Sequence, residues 1–210
     1  MTWTVILLRD VRPVPWRNGG GTTRELLAIP DSDDWAWRIS VAEVASDGAF
    51  SHFPGVQRWL AILSGAGVRL TTPEHAIELA EASEPLVFNG ATPVQCELLQ
   101  GPVQDLNLML RCDDNLWVKR HVHSEGDSVK GPVRCIGVMR RFCGAQRIAV
   151  EQASTVAIYA NHASAILQID GGEQYVVAPA ALAWRVLPAG AVLTCVSSSA
   201  FLFEISTVQV

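Results

Sequence analysis

Apolar residues recur with period two along most of this chain, in short runs separated by glycine and proline. Trp35, Trp37, Ile39 and Val41 alternate with Ala36, Arg38, Ser40 and Ala42. The same texture returns over Thr2 to Leu8, Val56 to Leu63, Val94 to Leu99, Leu106 to Arg111, Thr155 to Tyr159, Ala181 to Val186 and Phe201 to Ser206. Successive side chains of a strand point to opposite faces, so each run predicts a half-buried β-strand. Turn residues bound the runs at Gly19-Gly20-Gly21, Pro54-Gly55, Gly65 and Gly67, Gly101-Pro102, Gly131-Pro132, Gly171-Gly172 and Pro188 to Gly190. No long segment carries a helical period, and the fold class expected is all-β, a barrel or sandwich.

A second regularity acts at domain length. WLAILSGAGVRL from Trp59 has the texture of VAIYANHASAILQI from Val156, and LVFNGATPVQCELL from Leu86 lines up with WRVLPAGAVLTCVS from Trp184, setting Cys96 against Cys195. DLNLMLR from Asp105 then falls on FLFEIST from Phe201. Repetition on this scale predicts two copies of one β-barrel rather than a solenoid of short units. The expected division is an N-terminal lobe over residues 1–115 and a C-terminal lobe over 116–210, joined within the polar stretch from Cys112 to Gly131.

Composition narrows the partners. With 49% hydrophobic residues in 210, the chain has the makings of a packed core. A net charge of -5, with no basic run beyond Arg140-Arg141, argues against nucleic acid. The apolar stretch in MTWTVILLRD is short and lacks a preceding basic region, so it reads as a first strand rather than a signal peptide. No segment reaches the roughly 18 apolar residues of a membrane-spanning helix. Five cysteines without a CxxC fit neither a disulfide framework nor a zinc ribbon, and reduced thiols in a cytoplasmic protein are expected.

Several segments are more specific in combination: PWRNGGGTTREL from Pro15, WAWRISVAEV from Trp35, GAFSHFPGVQRWLAILSGAG from Gly48, FNG at Phe88, CELLQGP at Cys96 and DLNLMLR at Asp105. In these the chain resembles the HutD/Ves family. The resemblance implies a cupin-like, two-lobed (bicupin) fold and a bacterial association with histidine utilisation. It implies no settled biochemical activity.

Strand alternation points those segments at one site. Arg38 and Ser40 share the face opposite the tryptophans Trp35 and Trp37, Thr23 and Glu25 share a face that continues to Leu27, Arg58 goes with Leu60 and Ile62, and Asp105 and Asn107 go with Met109. If these faces point inward, the first lobe encloses Glu25, Arg38, Ser40, Arg58, Asp105 and Asn107. Two cations, two anions and neutral hydrogen-bonding groups suit a small polar ligand, carboxylate or amino-acid-like, held by charge-assisted bonds. The alternative is structural pairing of Arg38 with Glu25 and Arg58 with Asp105. The glycine triplet lacks the lysine and helix of a phosphate loop and reads as a tight turn, which Asn18 caps or leaves to reach the pocket. Pro54 and Gly55 shape the bend that delivers Arg58, Phe50 and Phe53 wall the pocket or fill core, and His52 receives no catalytic role.

His121 and His123 have the HxH spacing of a cupin metal site, yet they fall in the stretch between the lobes, and the matching strand near Arg58 has no histidine. His75, between Glu74 and Glu78, reads as surface. No metal site and no cofactor are expected. The function expected is metabolite binding, because no Ser, Cys or Lys stands beside a pocket histidine. Alternatives are a metal-independent enzyme with Glu25 or Asp105 as base, and a structural or partner-binding protein whose second lobe supplies an interface, as a possible oligomer would need. Elemental analysis of the isolated protein is expected to find no stoichiometric Zn, Fe or Mn. One metal per chain, lost in a His121→Ala, His123→Ala double variant, would contradict that reading.

Overall fold

In the computed structural model, which describes residues 2–112 and 133–209, each predicted run forms a strand, and no α-helix occurs among the described residues. The expected junction lies outside the described residues apart from Cys112, as do His121 and His123.

Three sheets form. A six-stranded sheet runs in the order Val14–Pro15, Gly21–Ile29, Trp37–Val44, Val103–Arg111, Val56–Ser64 and Leu86–Asn89. A four-stranded sheet has the order Gly48–Ala49, Gln95–Leu98, Val68–Thr71 and Ala76–Leu79. The seven-stranded sheet runs Thr4–Leu7, Ala181–Leu187, Ser154–Ala160, Val192–Gln209, Ala165–Ile169 and Gln174–Val177, with Val133–Ala149 also paired to Val192–Gln209.

Alternation along the six-stranded sheet gives it two apolar faces. Leu60 and Ile62 face the four-stranded sheet and meet Val68, Leu70 and Cys96. Trp37, Ile39, Val41, Trp59, Leu106 and Leu108 face the other way and pack on Tyr159, Leu182, Phe201, Phe203 and Ile205 of the seven-stranded sheet. A separate core, with Val156, Ile158, Leu167, Leu193 and Cys195, fills the interior of that last sheet. Each fully buried aliphatic side chain contributes about 1.5 to 3 kcal/mol.

The repeat seen in the sequence reappears as matching hydrogen bonding. Val56–Ser64 pairs with Val103–Arg111 and Leu86–Asn89, as Ser154–Ala160 pairs with Val192–Gln209 and Ala181–Leu187. Cys96 stands opposite Leu70, as Cys195 stands opposite Leu167. The halves also interlock. Thr4–Leu7 pairs antiparallel with Ala181–Leu187, Asn161 Nδ2 donates to the Leu63 carbonyl at 3.0 Å, and His162 Nε2 lies 2.9 Å from the same oxygen.

Leu108 is fully buried in the core shared by the two halves. Leu108→Ala is expected to lower the unfolding free energy by about 2 to 5 kcal/mol. Because that core joins both halves, tryptophan fluorescence and far-ultraviolet circular dichroism should report one coincident transition; two separated transitions would contradict it.

Candidate functional site

Three neighbouring strands deliver the polar side chains in rows. Met109 stands opposite both Arg38 and Arg58, Asn107 opposite Ser40 and Leu60, and Asp105 opposite Ala42 and Ile62. Gly21–Ile29 extends the rows on one side, with Glu25 opposite Ser40 and Thr23 opposite Ala42. Directly opposed side chains lie about 5 Å apart, so the register gathers Arg38, Ser40, Arg58, Asp105 and Asn107 over one cavity.

That cavity has a volume of about 530 Å³ and is lined by Asn18, Arg38, Ser40, Arg58, Asp105 and Asn107 among the residues expected from the sequence. Phe50 and Phe53 wall it, and Trp16, Arg17, Thr23, Ser51 and Met109 complete much of the rest. Glu25 does not line it. Its exposed carboxylate meets Arg38 Nη1 at 3.5 Å at the rim, next to a register shift between Glu25 and Leu27 that inserts Leu26. The same bulge sends Leu26 and Leu27 together toward the shared core, so the face of Thr23 and Glu25 does not continue to Leu27. Trp35 and Trp37 also part company. Trp35 precedes the strand and packs with Ala28, Val56 and Met109, whereas Trp37 enters the shared core.

Arg58 is a buried cation, only 6% exposed. Its guanidinium carbon lies 5.3, 5.5 and 4.9 Å from the ring centres of Phe50, Phe53 and Phe88. Nη2 donates to Asn107 Oδ1 at 3.1 Å, and Asn107 Nδ2 donates onward to Asp105 Oδ1 at 2.6 Å. Arg58 Nε has no hydrogen-bond partner among the described residues. No direct Arg58–Asp105 ion pair forms; Asn107 stands between them. Arg38 lies 5.0 Å from the Trp35 ring and 5.6 Å from that of Phe53, so Phe53 serves both arginines.

Burial governs the charges. It pushes the Asp105 carboxyl up to about 7, against the opposing pull of Arg58, Asn107 and the Ala42 backbone. Burial also draws Arg58 down to about 10, with Asp105 opposing and Arg38 adding to the shift. Arg38 is lowered by burial and partly restored by Glu25. Near neutral pH the cavity therefore carries two guanidinium charges against one carboxyl close to its midpoint.

Local backbone explains the mouth. Asn18 both caps and lines, since its Oδ1 accepts the Gly20 N–H at 3.0 Å and the residue borders the cavity. A Cβ on Gly21 would sit 3.0 Å from the Trp16 ring and 2.2 Å from the Glu43 carbonyl. Without it, Trp16 folds down and donates from Nε1 to Thr23 Oγ1 at 2.7 Å. Gly55, at φ 71°, makes the expected bend before Arg58. His52 lies outside the cavity, with Nε2 2.9 Å from the Ala91 carbonyl, and His75 is exposed. Among the described residues, no group of three or more His, Cys, Asp or Glu side chains could hold a metal ion. No helix there is long and apolar enough to cross a membrane. Trp16 and Arg17 carry no alternation signal; the sequence clue to them is the nearby Gly21, where a Cβ would meet the Trp16 ring.

Paired β-sheets around such a cavity define a cupin-like protein. YlbA from Escherichia coli shares the fold, with a TM-score of 0.61 over 96% of this chain and 89% of that one at 10% identity. The chain belongs to the HutD family, whose model matches residues 8–194. HutD from Pseudomonas fluorescens SBW25, in a structure for a formate condition, gives a TM-score of 0.77 over 99% of this chain and 100% of that one, at 24% identity. Protein Ves from Escherichia fergusonii is 35% identical over 109 residues, 50% of this chain and 57% of that protein. An uncharacterised 21.2 kDa protein in the hutC 3′ region of Pseudomonas putida is 35% identical over 103 residues, 48% of this chain and 54% of that protein. The match thus spans little more than half the length of these two relatives.

The raised Asp105 sets a pH dependence of stability. The folded state holds a proton that the unfolded chain releases from its ordinary value of 3.8, so stability is greatest below that pH and falls as pH rises toward about 7. Asp105→Asn should remove this decline and, above about pH 7, stabilise the free protein by on the order of a few kcal/mol. Urea unfolding at a series of pH values tests this, and an unchanged slope in the variant would contradict it.

Proposed function

We propose that this protein binds a small carboxylate-bearing metabolite in the cavity between the six- and four-stranded sheets. The observation that carries the reading is Arg58: a buried guanidinium at the wall of the cavity that, among the described residues, has an unpartnered Nε and no direct carboxylate partner. A planar fork of donors matches a carboxylate better than it matches water or a neutral group. Arg38, Ser40, Asn107 and Asn18 supply further polar contacts, and Glu25 acts only at the rim. The family relationship and the hutC-region relative support a ligand from histidine utilisation. The repeated strand pairing supports a bicupin division into lobes over 1–115 and 116–210, and the five free cysteines fit the cytoplasm.

A second reading is a metal-independent enzyme. Asp105 lines the cavity with a carboxyl near 7, the range in which a general base works best at neutral pH. Turnover separates it from a binding role.

Thermal unfolding with histidine, urocanate, glutamate and formate, followed by assay of each compound for consumption, tests both. Stabilisation without consumption supports binding; consumption supports catalysis; no stabilisation by any carboxylate contradicts the first reading. Arg58→Ala is expected to abolish the stabilisation, a loss of about 2 to 5 kcal/mol or roughly thirtyfold and more in affinity.

A further inference from the structure

Asn107 is oriented by two different partners. Its oxygen accepts from Arg58 and its nitrogen donates to Asp105, so the amide can point only one way. The opposite charges that would otherwise cancel are held apart by one neutral side chain. Among the described residues, Arg58 Nε has no partner at the cavity wall, and Asp105, 3% exposed, has no ion-pair partner.

An anion entering against Arg58 and Arg38 brings a second negative charge into the cavity that Asp105 already borders. Two carboxylates in one buried site do not both stay ionised; a proton is taken up. We infer that the cavity takes up its anionic ligand together with one proton, which resides on Asp105, and that Asn107 makes this coupling possible by keeping Asp105 and Arg58 from neutralising each other. The inference rests on the carboxylate-binding reading above and adds its pH regulation. The balance is simple: a ligand carboxylate and a proton from solvent enter, the Asp105 carboxylate becomes a carboxyl, and the charge of the occupied site equals that of the empty one.

The other groups facing Asp105 leave it as the proton's place. Arg58 on Val56–Ser64 and Arg38 on Trp37–Val44 stay cationic near neutral pH. Cys96, on Gln95–Leu98 of the opposing sheet, is pushed up to about 12 by burial and stays a thiol. Glu25 on Gly21–Ile29 is exposed at the rim and paired with Arg38, and Arg17 stands at the mouth. Among the described residues no histidine lines the cavity. Burial already holds Asp105 near the pH at which a modest added negative charge tips it to the neutral form.

The test is calorimetric titration with sodium formate, in two buffers of different ionisation enthalpy and against sodium chloride as control. The expected result is uptake approaching one proton per formate at about pH 8, little uptake at about pH 5.5, and affinity falling about tenfold per unit above pH 7. Asp105→Asn, an isosteric change, should bind formate without proton uptake and at least about tenfold more tightly than the native protein at about pH 8. Formate binding by the native protein without proton uptake at that pH overturns the coupling and leaves the carboxylate reading standing. Retention of the pH dependence in Asp105→Asn, should that variant fold, overturns the assignment to Asp105. Absence of formate binding at every pH overturns the coupling, and the carboxylate reading falls with it only if histidine, urocanate and glutamate also fail to bind.

Discussion

A guanidinium buried without its own carboxylate is the constraint on which the N-terminal half turns. Taking Arg58 out of water costs several kcal/mol, and a direct bond to Asp105 would be the ordinary compensation. The chain supplies three phenylalanine rings and one amide instead. Ring faces stabilise a cation by about 0.5 to 2 kcal/mol each without neutralising it. The result is a charge that is tolerated inside the protein and still available to a visitor.

The surrounding fold is arranged so that this tolerance is rigid. The six-stranded sheet packs on both sides, against the C-terminal half on one face and, around the cavity, against the four-stranded sheet on the other. Gly90 shows how close the approach is: a Cβ there would come within 2.5 Å of the Phe53 carbonyl, and the Phe53 and Gly90 backbones bond to each other at 2.8 Å. That contact fixes the loop carrying Phe53, the ring shared by both arginines. Binding geometry therefore depends on backbone packing some distance from any polar atom of the site.

Much of this was legible in the sequence because strand alternation is a local rule. Arg58 with Leu60 and Ile62, and Asp105 with Asn107 and Met109, face as the period requires. The failures occur where the period breaks. Glu25 stands at the rim, and an extra residue just after it breaks the alternation to Leu27, which nothing in TTRELL distinguishes from regular pairing. Trp35 lies two residues before Trp37 yet outside the strand, so the two rings diverge. The pairing Arg58–Asp105 was the natural structural alternative; only three-dimensional register reveals that Asn107, in the same row as Ser40, intervenes. Loop contributions such as Trp16 carry no period at all.

The union of Thr4–Leu7 with Ala181–Leu187 has a consequence for how the molecule is made. Thr4–Leu7 finds its hydrogen-bonding partner only after synthesis has passed Ala181–Leu187. Until then its backbone donors and acceptors are unpaired, and loop closure over such a separation is entropically costly and slow. The N-terminal half can assemble its own two sheets while this segment waits. Docking of Thr4–Leu7 thus waits on the C-terminal half, and that late pairing clasps the two halves together.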